Sequence, residues 1–173
     1  IVPLYQLLKQ FPIADLGWYL PQTTGFVRDS KNQLLAFPFM AEIPVMFYNL
    51  DAYRKAGLNP AQPAATWTDL QGHLIALRDK ADIDCPYATS QEVLVHFESL
   101  APINNGLYAT PNNGLDNAKG LMLNFDSTYM RHMAIMVSWK KSLLFTNYSN
   151  GNEPDKLFAE GKCSVLTAGS GSL

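Results

Sequence analysis

Short apolar runs of strand length alternate along this chain with longer segments whose apolar residues recur at helical spacing. That alternation restricts the fold to the α/β class. The runs Leu34–Phe39 and Val45–Asn49 read as two strands, separated by Met40-Ala41-Glu42-Ile43-Pro44. Asp51 is placed to cap a short helix through Ala56, and Gly57 supplies a left-handed exit. Thr66-Trp67-Thr68-Asp69 is a capping-box variant, and Leu70, Leu74 and Leu77 follow at helical spacing, so a helix is predicted from Thr66 to Lys80. A strand over Ile83–Thr89, a helix over Glu92–Ile103 and a long loop with one short hairpin over Asn104–Gly120 come next. Met130, Met133, Met136 and Val137 mark an amphipathic helix from Thr128 to Lys141, with the methionines as core packing. Pro154 and Phe158 belong to a short helix that precedes a strand over Cys163–Thr167. Residues 1–33, broken by Pro3, Pro12, Pro21 and Gly25, read as the tail of a larger unit.

The chain has 173 residues, 47% of them hydrophobic, enough for one sizeable core. Lysine plus arginine number 13 against 15 aspartates and glutamates, so no basic stripe exists to attract nucleic acid. No apolar run reaches the roughly 18 residues of a membrane span. The first residues, Ile1-Val2-Pro3-Leu4-Tyr5-Gln6, carry no signal-peptide pattern, and the last ones, Ala168 to Leu173, follow directly on a strand. The expectation is a piece of a longer chain.

Cys85 and Cys163 each open a short apolar run; by spacing alone they are equally two buried thiols or, in an oxidising compartment, a disulfide. His73, His96 and His132 show no ligand spacing with one another or with the cysteines and read as helix-surface or half-buried residues, so no metal or cofactor is called for. Phosphate loop, dinucleotide fingerprint and nucleophile elbow are all missing. Asp82 with Asp84 and Glu92 with Glu98 are carboxylates of the kind a carbohydrate hydrolase uses, but nothing in their spacing sets two of them across a sugar ring. Gly169-Ser170-Gly171-Ser172 after a strand offers backbone N–H groups and small hydroxyls able to grip an anion or a polyol, and equally reads as a flexible linker.

Several phrases, in order, resemble the periplasmic glycerol-3-phosphate-binding branch of the solute-binding proteins of ABC importers. They are Phe37-Pro38-Phe39, Pro44-Val45-Met46-Phe47-Tyr48-Asn49, Asp51-Ala52-Tyr53-Arg54-Lys55-Ala56-Gly57-Leu58, Thr66-Trp67-Thr68-Asp69-Leu70, Cys85-Pro86-Tyr87-Ala88, Asn112-Asn113-Gly114-Leu115-Asp116 and Gly161-Lys162-Cys163. The resemblance implies a type II periplasmic-binding-protein-like fold with two α/β lobes, of which this chain would hold a truncated part. Residues 1–37 would be a remnant of the N-terminal lobe, 38–44 a hinge crossing and 45–173 the C-terminal lobe. It further implies an exported, periplasmic protein, without catalysis, that captures a small polar solute and delivers it to an inner-membrane permease. A carbohydrate hydrolase using an Asp/Glu pair is the alternative.

The resemblance carries ligand contacts onto Gly169, Ser170 and Ser172, onto the hinge-proximal Ala41 and Glu42, and onto Gln91 and Leu94. The last two stand where the glycerol-3-phosphate binders have two tryptophans. The hinge serine is missing here, and Glu42 would repel a phosphate by about 1 kcal/mol or more at close range, which suits a neutral polyol better. The family's members also carry a cysteine pair matching Cys85 and Cys163, which implies a disulfide.

Overall fold

The computed structural model describes residues 1–20, 25–115, 119–148 and 151–172. Pro21, Asp116 and Leu173, used above as turn former, motif end and chain end, lie outside the described residues. In chain order the regular elements are α1 (Leu4–Gln10), β1 (Pro44–Tyr48), α2 (Leu50–Lys55), α3 (Trp67–Ala81), β2 (Cys85–Thr89), a wide helical turn (Leu94–Glu98), α4 (Leu100–Ile103), β3 (Ala109–Thr110), β4 (Met122–Leu123), α5 (Ser127–Lys141), α6 (Glu153–Ala159) and β5 (Cys163–Gly169). Two compact units result: residues 1–42 with 107–124, and residues 43–106 with 125–173. Among the described residues no helix is long and apolar enough to cross a membrane.

The second unit is built on a three-stranded sheet in the order β1-β5-β2. β5 runs parallel to β2, with Cys85 opposite Cys163 and Thr89 opposite Thr167, and antiparallel to β1, with Pro44 opposite Gly169. Every position of β2 and β5 is buried, as expected of strands covered on both faces, whereas β1 is half-buried throughout. Side chains alternate across the sheet. Tyr87 and Val165 join the cluster formed with Leu70, Leu74 and Leu77 of α3 and Met136 and Trp139 of α5. Their neighbours Ala88 and Leu166 join Cys85 and Cys163 against Leu157 and Phe158 of α6. Helices therefore cover both faces.

Local chemistry explains the helix ends. Thr66 Oγ1 accepts from the Asp69 N–H at 3.1 Å and donates to the Asp69 carboxylate at 2.7 Å, so α3 starts as the capping pattern predicts. Gly57 has φ 75°, the left-handed exit expected after α2. The cap of α2 is Asn49 rather than Asp51: its Oδ1 accepts from the Asp51 and Ala52 N–H groups, both at 3.0 Å, while Asp51 pairs with Arg54. β3 does pair with β4 in the first unit, but the second strand of this hairpin lies beyond Gly120, outside the predicted loop.

Three expectations fail. Leu34–Phe39 forms no strand; Leu34 makes an isolated bridge with Arg28, and Leu34 and Leu35 accept through their carbonyls from the first turn of α1, a helix not anticipated in the tail. The methionine stripe is out of phase: α5 buries Tyr129, His132, Met136 and Trp139, Met133 packs beside them, and Met130 and Val137 face outward. The single helix over Glu92–Ile103 divides into the wide turn, closed by Ser99 N–H donating to the Leu94 carbonyl, and the short α4.

Candidate functional site

Ligands of open α/β sheets bind beyond the carboxyl ends of parallel strands, where backbone groups run out of sheet partners. In the second unit that edge is formed by β2 and β5: Ser90 and Gln91 follow directly on β2, and Ser170 and Ser172 follow Gly169 at the end of β5. The Ser90 N–H donates to the Thr167 carbonyl at 3.1 Å, fixing the two strand ends side by side. The turn after β5 is closed by the Ser172 N–H donating to the Gly169 carbonyl at 3.0 Å. Ser170 is exposed, Gly169 buried and Ser172 half-buried. The Ser170 N–H is occupied by the Ile43 carbonyl at 2.9 Å, and its hydroxyl oxygen accepts weakly from the Ile43 N–H at 3.4 Å. What Ser170 can give a ligand is therefore its hydroxyl proton.

Gln91 is half-buried three residues before the wide turn, its carbonyl taking the Val95 N–H, and Leu94, also half-buried, is the first residue of that turn. Ala41 and Glu42 are exposed and belong to the first unit. Ser90, which the sequence reading passed over, has a buried hydroxyl without a hydrogen-bond partner among the described residues. A serine directly after a buried strand was the signal available for it.

Behind this edge lies a cavity of about 420 Å³, walled by the start of β1, the N-terminal turn of α3 and the segment from Val95 to Asn104, with Thr167 in its wall. Thr167 is only 4% exposed, and its Oγ1 lies 2.6 Å from the Tyr87 hydroxyl. That hydroxyl is 3.0 Å from His96 Nε2, and His96 Nδ1 is 2.8 Å from His132 Nε2. The expectation of helix-surface or half-buried histidines is thus corrected for two of the three: His96 and His132 are 3% and 4% exposed, and they bond each other. The Trp67 ring packs on both, with centroids at 5.3 Å and 5.0 Å. Burial pushes the His96 pKa down to about 3, with the neighbouring His132 adding to the effect, and burial lowers His132 as well. Both imidazoles are neutral at pH 7, and burial holds the Tyr87 phenol protonated.

The carboxylates Asp82, Asp84, Glu92 and Glu98 are all exposed on the surface. Among the described residues no group of three histidines, cysteines or acids could hold a metal ion. Cys85 and Cys163 are disulfide-bonded across the adjacent parallel strands, with Cα atoms 4.6 Å apart.

The bacterial extracellular solute-binding protein family matches residues 5–172. This chain belongs to that family. Its relatives include the sn-glycerol-3-phosphate-binding periplasmic protein UgpB of Pectobacterium atrosepticum, 34% identical over all of this chain and 39% of that protein, and UgpB of Escherichia coli, 33% identical over 40% of its length. The chain thus spans about two-fifths of the length of these curated relatives. Its fold is that of UgpB from Mycobacterium tuberculosis in complex with glycerophosphocholine, at TM-score 0.76 and 16% identity over 99% of this chain and 42% of the other. An ABC-transporter solute-binding protein of Thermotoga lettingae bound to α-D-tagatose gives TM-score 0.70 and 16% identity over 98% of this chain and 43% of the other. The fold is therefore the type II periplasmic-binding-protein architecture, present here as a fragment.

Proposed function

We propose that this chain is part of the solute-binding subunit of an ABC importer, acting outside the cytoplasm, and that the second unit supplies one wall of its ligand cleft. The single observation that carries this reading is that β2 and β5 end side by side in parallel, joined by the Ser90 N–H to the Thr167 carbonyl, with Gln91 and the Gly169–Ser172 turn following on them, in a chain of this family. Binding proteins of this kind close on a solute and hand it to a membrane permease, without making or breaking bonds. In this reading residues 1–37 belong to the N-terminal lobe, 38–44 to a hinge crossing and 45–173 to the C-terminal lobe, and Glu42 accepts hydrogen bonds from ligand hydroxyls. Relatives named for sn-glycerol-3-phosphate support a small polar solute, and the carboxylate of Glu42 favours an uncharged polyol over a phosphate. The exposed, scattered carboxylates give the hydrolase alternative nothing to stand on.

Calorimetric titration of the full-length protein with sn-glycerol-3-phosphate, glycerophosphocholine and maltose tests the proposal. One-to-one saturable binding of at least one of them, without turnover, is expected. No binding to any of the three, or release of hydrolysis products, overturns it.

A further inference from the structure

The proposed ligand wall has two parts on separate stretches of chain. One is the Gly169–Ser172 turn, which continues β5; the other is the stretch from Gln91 to Leu94, which runs from the end of β2 into the wide turn. Ladder bonds align β2 with β5 as far as the Ser90 N–H on the Thr167 carbonyl. Past that point the chain leaves the sheet, and its place against the strand ends is set by side chains.

Tyr87 supplies a tie between the two. Its hydroxyl lies 2.6 Å from the Oγ1 of Thr167, two residues before Gly169, and 3.0 Å from the Nε2 of His96, two residues after Leu94. A phenol, a threonine hydroxyl and a neutral imidazole can each serve as donor or acceptor, so both bonds form together in more than one proton arrangement. The tie is the same in all of them. His96 is steadied in turn by His132 of α5, 2.8 Å away, and by the Trp67 ring of α3. Thr167, Tyr87, His96 and His132 are all buried, where water does not compete for these bonds. Tyr53, in the same core and equally buried, provides the contrast: its hydroxyl has no hydrogen-bond partner among the described residues. A phenyl ring would fill either place, but at Tyr87 the hydroxyl joins two segments.

We infer that Tyr87 is a positioning residue of the ligand site: through Thr167 and His96 it holds the Gly169–Ser172 turn and the Gln91–Leu94 stretch at a fixed separation, and so sets how tightly a polar solute is gripped by both. The inference rests on the ligand role proposed for these two segments. Contact groups bind well when the side chains behind them are locked by hydrogen bonds, and a site left looser loses affinity without losing its fold.

Two measurements on the full-length protein test it: calorimetric titration with whichever of sn-glycerol-3-phosphate, glycerophosphocholine and maltose saturates it, and hydrogen exchange without solute. Tyr87→Phe should bind about tenfold more weakly, the worth of one hydrogen bond, and Thr167→Val should weaken binding comparably. The double variant should lose no more than the weaker-binding single one, because both substitutions cut the same tie. Tyr53→Phe removes a hydroxyl from the same core without cutting a bond and should keep full affinity, which separates positioning from loosening of the core. Without solute, Tyr87→Phe should speed exchange at residues 91–95 and 168–172, and Tyr53→Phe should not. Unchanged affinity or unchanged exchange in Tyr87→Phe, additive losses in the double variant, or an equal loss in Tyr53→Phe overturns the inference. Should none of the three solutes bind, the exchange comparison alone decides whether Tyr87 holds the two segments. Ser170→Ala reads the turn by itself: unchanged affinity there overturns the turn's ligand role, whereas a loss there beside an unchanged Tyr87→Phe overturns this inference alone.

Discussion

The two units differ in how they treat their apolar residues. In the second, Tyr53, Tyr87, Trp139, Leu74 and Leu77 are fully buried between a sheet and helices on both its faces. In the first, Trp18 is 68% exposed, Phe39 is 95% exposed, and Phe11 and Phe26 are exposed as well, with Leu4 and Leu34 buried at the foot of α1. The contrast teaches that a closed core, and not apolar content, is what makes part of this chain a self-sufficient unit. Stability should therefore be concentrated in residues 43–106 and 125–173, and substitutions should divide sharply along that boundary.

The largest effect expected is that of the Cys85–Cys163 bond, which ties β2 to β5 of the second unit and closes a 78-residue loop that includes residues 107–124 of the first. Reducing it should cost about 4.5 kcal/mol of stability by chain-entropy arithmetic, seen as an earlier urea midpoint. A urea midpoint that does not move on reduction would break the comparison. Next, Trp139→Ala should cost about 3–5 kcal/mol, whereas Phe39→Ala should stay within about 0.5 kcal/mol, both by urea unfolding. Equal effects would mean that the first unit has a core of its own.

A further expected effect is pH-dependent. His96 has a folded pKa near 3, below its unfolded value of 6.5, so the folded state binds fewer protons between these limits. Its contribution is fully present above pH 6.5 and is lost as pH falls toward 3, with a slope of up to about 1.4 kcal/mol per pH unit. His96→Gln should flatten that slope in urea titrations between pH 6 and pH 4; an unchanged slope would assign the acid sensitivity to other groups.

How far the sequence foretold the molecule follows the same division. In the second unit, Thr66 and its leucines announced α3, and Gly57 announced the end of α2, because capping and period act locally. Leu34–Phe39 misled because strand propensity has meaning only beside another strand, and the backbone there pairs with α1 instead. On α5 the stripe Tyr129, His132, Met136, Trp139, spaced three, four and three residues apart, was available as a helical face; the methionines drew attention to the wrong phase. Gly169 and Ser170 were visible through their composition and the family resemblance. Ser90 and the His96–His132 pair were not, since each exists only through contacts between distant segments, 36 residues apart for the histidines.

The most direct test of a ligand site at the strand edge is hydrogen exchange of the full-length protein with and without whichever of the three solutes saturates it. The account predicts slowed exchange concentrated at residues 89–92 and 168–172. Saturable binding that leaves both segments unprotected would contradict it.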